Sequence, residues 1–204
     1  TLSLTGRVEL IADNLKKSLP ASFPKATKIL HQIMGPENPH ETGMFTNYYW
    51  LLPVAKFVEK YGLEHYDESL FAISEITKRN TGEYAIRPFI RRYPKDTLRQ
   101  MKGWARSENF HLRRLSSEGL RPKLPWASKL DLFIERPKPV FEILSLLKTD
   151  PIKFVKKSVA NHLTDYLKVN PPATYKFLKR LNKTKDENTL WIIKHATRKH
   201  PSNV

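Results

Sequence analysis

The chain has 204 residues, 40% of them hydrophobic, and 36 Lys and Arg against 20 Asp and Glu give it a formal net charge of +16. It is long enough to bury a sizeable core, and with only seven glycines its composition favours helix over sheet. The absence of cysteine excludes a disulfide scaffold, a thiol nucleophile and thiolate-held metal, and the longest apolar run, Tyr48 to Ala55, is broken by Pro53 and too short to span a bilayer.

In chain order, residues 1–83 are nearly neutral, with 9 basic and 10 acidic side chains. Leu70, Ile73 and Ile76 recur at helical spacing and predict a helix between Asp67 and Asn80. Residues 84–126 then hold 11 basic against 3 acidic side chains. After Gly82, Glu83, Arg87 and Arg91 are spaced i, i+4, i+8, which places them on one helical face. From Asn109 onward, His111, Arg114 and Glu118 share a second face at i, i+3, i+7. Residues 127–152 are balanced at 4 and 4, and Lys138-Pro139 opens a helix carrying Val140, Ile143, Leu144 and Leu147. Asp150-Pro151 reads as an N-cap followed by a first-turn proline. The stripe Ile152, Val155, Val159, Leu163 and Tyr166 follows, and Asn170-Pro171-Pro172 ends it. Lys157, Asn161, Asp165 and Lys168 line the opposite face. Residues 153–204 hold 12 basic against 3 acidic side chains, and the last predicted helix runs from Glu187 to His200.

Roughly ten to twelve helices of about 10–18 residues are expected, and no segment keeps a period of two. The fold class is therefore all-α. Helix pairs recurring every 35–40 residues or so predict a HEAT-like (ARM-type) α-solenoid of antiparallel pairs, one domain over 1–204, with the second helices lining a basic concave face. A globular helical bundle is the alternative.

The charge calls for a polyanionic partner, nucleic acid or an anionic membrane surface. No helix combines a wide apolar face with a basic one, which argues against the membrane. Each basic face nevertheless keeps a carboxylate. Taken singly, Glu83–Arg87 and Arg114–Glu118 read as solvated i, i+4 ion pairs. Taken together, acids on a phosphate-binding surface repel the ligand and need another reason to be there. Cleavage of an N-glycosidic bond develops positive charge on the sugar, and a fixed carboxylate stabilises that charge and orients water. Trp126 closes the run Arg121-Pro122-Lys123-Leu124-Pro125-Trp126, where two prolines forbid helix. It reads either as a contact to sugar or base or as a cap on the core between repeats. Trp50, Trp104 and Trp191, in apolar-periodic segments, are expected in the core, as is His162. The seven histidines show no metal-ligand spacing, and no phosphate loop or nucleophile motif occurs. No cofactor and no metal are expected.

The run His111-Leu112-Arg113-Arg114-Leu115-Ser116-Ser117-Glu118-Gly119, continuing through Arg121-Pro122 and Leu124-Pro125-Trp126, resembles the signature of AlkC-type alkylpurine DNA glycosylases of the AlkC/AlkD HEAT-like superfamily. Glu83 to Phe89, Ser158 to Asp165 and Trp191 to Ala196 add to the resemblance. It implies metal-free hydrolytic removal of 3-methyladenine and related cationic bases from double-stranded DNA, without full base flipping. It implies catalytic roles for Glu83, Glu118 and Trp126, and DNA-binding roles for Arg87, Arg114, Arg121, Lys157, Asn161 and Asp165. A monomer is expected, cytoplasmic and associated with a bacterial nucleoid through DNA. A non-catalytic HEAT-like scaffold binding nucleic acid or protein stays open beside it.

Overall fold

A computed structural model describes residues 2–43 and 46–198. Among the described residues there are eleven α-helices, one 3-10 turn and no strand. The helices are 7–17 residues long, a little shorter than the spacing predicts, because prolines and capping residues cut α5 and α7 short. None is long and apolar enough to cross a membrane. The chain falls into two compact units, 1–94 and 95–204.

The first unit holds α1 (Leu4–Ser18), α2 (Phe23–Gln32), the 3-10 turn (Tyr49–Leu51), α3 (Leu52–Tyr61), α4 (Tyr66–Thr77) and α5 (Ile86–Arg92). Leu70, Ile73 and Ile76 of α4 are buried, as their spacing requires, with Phe57 and Val58 of α3. Phe23 of α2 stacks on Phe57 at 5.7 Å. At Gly62 the helices come so close that a Cβ would lie 2.3 Å from the Ser69 hydroxyl, so only glycine fits the α3–α4 turn. Trp50 breaks with expectation. Its ring is 43% exposed because the short 3-10 turn, not a longer helix, carries it.

The second unit holds α6 (Pro94–Trp104), α7 (Phe110–Glu118), α8 (Lys138–Leu147), α9 (Lys153–Val169), α10 (Pro171–Leu181) and α11 (Glu187–Thr197). α9 packs against α7 on one side and α11 on the other, so the second helices of successive pairs form one layer. Val155, Val159, Leu163 and Tyr166 are buried along α9, and Trp104 is buried at the end of α6. His162 is fully buried and stacks on Tyr166, a core histidine as expected. Trp191 is only half-buried, its ring stacked on His195 and topped by the Lys156 ammonium. The predicted extension of α11 to His200 lies outside the described residues.

Asp150 does not cap α9. The helix begins two residues later than the Asp-Pro signal suggests, after Ile152 at the N-cap. The Asp150 carboxylate instead accepts the Ile152 amide at 3.0 Å and clamps Arg113 of α7 at 2.6 and 3.3 Å. A paired, charge-assisted bond to a guanidinium is stronger than a lone capping bond, so the local signal lost to a distant partner.

Candidate active site and nucleic-acid interface

Glu118 is the last residue of α7, where the carbonyl end of the helix dipole disfavours a carboxylate. It is also 5% exposed. A charge in such a place must be compensated. Arg121 Nη1 donates to Oε1 at 2.6 Å, Ser158 Oγ on α9 donates to Oε2 at 2.5 Å, and Arg114 Nη2 stands 3.8 Å from Oε2. Burial pushes the Glu118 carboxyl up, but Arg114, Arg121 and Ser158 together outweigh it and hold the group below its ordinary range. The Arg114–Glu118 pair is therefore no solvated surface pair. Arg114 is itself steadied by Phe154, whose ring lies 4.5 Å beneath its guanidinium.

Arg121 joins two acids. Its Nε donates to Asp165 Oδ2 at 2.8 Å while Nη1 holds Glu118. Although burial lowers the arginine's pKa, the two carboxylates raise it further, so it is permanently charged. Asp165 behaves differently from Glu118. Burial lifts its carboxyl above the ordinary aspartate value of 3.8, Glu118 adds to the lift, and Arg121 only partly offsets it. Two carboxylates around one guanidinium thus titrate apart, which is the pattern expected of groups tuned for different tasks.

The loop between α7 and α8 leaves this cluster directly. Leu130 N donates to Pro122 O at 3.0 Å and closes the loop, while Leu124, Leu130 and Phe133 are buried and anchor it. From α9, Tyr166 OH donates to Phe133 O and Asn170 Nδ2 to Ile134 O. On this fastened loop Trp126 is 72% exposed with φ +60. It does not cap the core. A bulky residue in the left-handed region costs about 1–2 kcal/mol, and its exposed ring recovers nothing from burial.

Glu83 is placed otherwise than its helical spacing suggests. It sits in the turn before α5, buried, and accepts a hydrogen bond from Thr81 Oγ1 at 2.9 Å. Arg87, on α5, is buried too, whereas Arg91 is exposed, so the three do not share one face. Glu83 and Arg87 belong to the first unit; Glu118, Arg121, Trp126 and Asp165 belong to the second. Along α9, Lys157 and Lys168 are exposed and Asn161 is half-buried. Residues 95–204 carry 24 basic and 10 acidic side chains, so +14 of the net +16 resides in the second unit. Among the described residues, no group of three or more His, Asp or Glu is placed to hold a metal.

Sequence reasoning missed Ser158 and Phe154. Both lie on the α9 face turned to α7. Ser158 opens a run that adds to the resemblance, but its role and that of Phe154 have no local signal until the two helices are packed.

Residues 8–200 match the family described as DNA alkylation repair enzyme. The chain is 36% identical over 197 residues to "Uncharacterized protein YhaZ" of Bacillus subtilis (strain 168), covering 97% of this chain and 52% of that protein. Its fold is similar to the structure of Pseudomonas fluorescens alkylpurine DNA glycosylase AlkC bound to DNA containing an abasic site analog. The TM-score is 0.85 at 31% identity, over 97% of this chain and 53% of that one. AlkD2 from Streptococcus mutans shares the fold at TM-score 0.67 and 22% identity, over 94% of this chain and 89% of its own. The chain thus spans about half the length of the Bacillus and Pseudomonas proteins. Its all-helical architecture is the HEAT-like repeat fold of AlkC and AlkD proteins. By the family match across nearly its whole length, the chain belongs to the DNA alkylation repair enzymes.

Proposed function

We propose that this chain binds double-stranded DNA through the basic surface of its second unit and hydrolyses the N-glycosidic bond of cationic alkylated bases such as 3-methyladenine. The observation that carries the reading is the Glu118–Arg121–Asp165 cluster: a carboxylate kept ionised in a buried, strongly basic surround. As the base departs, positive charge grows on the deoxyribose, and an anion already fixed in place stabilises it without reorganisation. A carboxylate offers about four lone-pair sites, of which Arg121 and Ser158 use two. Asp165, whose carboxyl burial lifts above its ordinary value despite Arg121, is the more basic of the two acids and is proposed to accept a proton from the attacking water. Glu83 is the second acid proposed near the lesion. The base is already cationic, so its departure needs little acid catalysis, and no step calls for a metal.

Trp126 gives a sharper prediction. Trp126→Gly relieves the left-handed backbone, so thermal stability is expected to stay level or rise by up to about 1 kcal/mol. Excision of methylated bases is expected to fall at least tenfold, to an extent set by stacking at the sugar or base, roughly 1–3 kcal/mol. A destabilised variant with full excision would make the ring structural.

Lys157, Arg87, Arg114 and Asn161 are proposed to hold the DNA backbone, with Arg121 and Asp165 shaping the groove. Lys157→Glu is expected to weaken binding on every duplex sequence and lower the salt slope by about one or two phosphates. Binding titrations at several salt concentrations check this, and a change confined to one sequence context would overturn it.

One observation favours a second reading, a non-catalytic nucleic-acid scaffold. Both oxygens of Glu118 are already engaged within the protein, as in a structural ion pair. Release of free base from methylated DNA separates the readings, since a scaffold binds with the same salt dependence and releases nothing.

A further inference from the structure

The first unit carries a second concentration of exposed aromatic surface, outside the cluster just described. Tyr48, Tyr49 and Trp50 are consecutive. Tyr49 is 63% and Trp50 43% exposed, and among the described residues Tyr48 shares with Trp126 a positive φ without being glycine, at +54. The Tyr48 and Trp50 rings lie 6.3 Å apart, inclined at 46°, so neither covers the face of the other. They border an open depression of about 390 Å³ whose other walls are Asn38, Pro39, His40 and Asn47. That volume is at the small end of ligand pockets.

The loop beneath is built to hold this arrangement. Asn38 and Asn47 both donate to the Thr42 hydroxyl, at 2.8 and 3.3 Å. Asn80 Nδ2 donates to Asn47 O at 2.7 Å, and the Asn38 amide to Lys78 O at 3.0 Å, which ties the loop to the end of α4. Gly35 turns the loop at φ +74, a backbone conformation that favours glycine, beside the Tyr48 ring. A left-handed tyrosine and exposed aromatic faces are costly, and packing recovers only part of that cost, Tyr48 being half-buried.

Charge decides what the depression would take. Residues 29–55 contain no Lys or Arg, 27 consecutive positions in a chain that carries 36. The cations at the end of α4, to which the loop is tied, are committed: Lys78 to Glu37 and Glu75, Arg79 to Glu75 and the Gly35 carbonyl. Glu37, Glu41 and His40 are the acids and the imidazole of the loop itself. None of the described residues that line the depression is Lys or Arg, so a phosphate gains no cation from its walls, in contrast to the strongly basic second unit. Aromatic faces flanked by amides and an imidazole fit a planar heteroaromatic ring that stacks and hydrogen-bonds.

We infer that the Tyr48–Trp50 depression is a binding site for a free purine base without its sugar phosphate. Identifying that base with the alkylpurine released from DNA rests on the proposed excision; the base binding itself does not.

The test is binding of adenine and 3-methyladenine to the whole chain, followed by saturation-transfer NMR and compared with AMP. Both bases are expected to bind with little salt dependence, and AMP no tighter than adenine. Trp50→Ala is expected to weaken adenine at least tenfold, and Trp50→Phe to restore most of it. Tyr48→Gly removes a ring while easing the backbone, and its melting temperature, expected to match that of the wild type, separates loss of binding from misfolding. No saturable adenine binding, unchanged binding in Trp50→Ala and Tyr48→Gly, or tight salt-sensitive AMP binding would each overturn the inference. Base release from methylated DNA is measured beside it: loss of release with intact adenine binding counts only against excision, and the reverse only against this site.

Discussion

Glu118→Gln is expected to lower release of 3-methyladenine from alkylated DNA by about 10² to 10³-fold while leaving duplex binding unchanged. The magnitude is that of removing one preorganised electrostatic contact to a charge that develops in the transition state. The substitution isolates charge with little disturbance of packing. A glutamine carbonyl accepts from Arg121 as Oε1 does, and its amide nitrogen donates to the Ser158 hydroxyl in place of the bond that Oε2 receives. Arg121 keeps Asp165 as a partner, so no cation is stranded. Uncatalysed sugar-cation formation would then proceed without its counter-anion. Excision at the wild-type rate would remove Glu118 from the mechanism and leave the scaffold reading.

Arg121→Leu is expected to be the most destabilising single change in the second unit, costing about 3–5 kcal/mol at neutral pH, because it leaves two buried carboxylates without the cation between them. Its pH dependence carries the sharper signature. In the wild type the Glu118 carboxyl lies below its ordinary 4.5, so its contribution to stability is present above that value and is lost as pH falls through the lower folded value. Asp165 has the opposite sign: with its carboxyl raised above 3.8, protonation favours the fold, and its contribution is lost as pH rises through the raised value. Without Arg121 both carboxyls move up. The deficit of the variant relative to wild type should therefore shrink as pH is lowered from about 7 to about 4.5. Urea midpoints at the two pH values measure it. Equal deficits would show that Arg121 acts through packing of its stem and not through its charge.

The helices α4, α8 and α9 were legible from apolar spacing alone, since each needs only a stripe three or four residues apart and a proline or capping residue at its end. The basic blocks and the pairing of Arg114 with Glu118 were legible for the same reason, being local. What each polar group does was not. Asp150 reads as a cap until Arg113, 37 positions earlier in the chain, takes its carboxylate. Glu118 reads as half of a surface pair until Ser158, 40 residues on, closes over it. Trp50 reads as core and Trp126 as either core or contact, and both rings lie in solvent. The resemblance marked Glu118, Trp126 and Asp165 as residues of interest, yet only packing showed that Arg121 binds two of them together. Helix formation is decided by neighbours along the chain, whereas burial and the ionisation of a carboxylate are decided by whatever side chain the fold brings opposite, and that choice has no local trace.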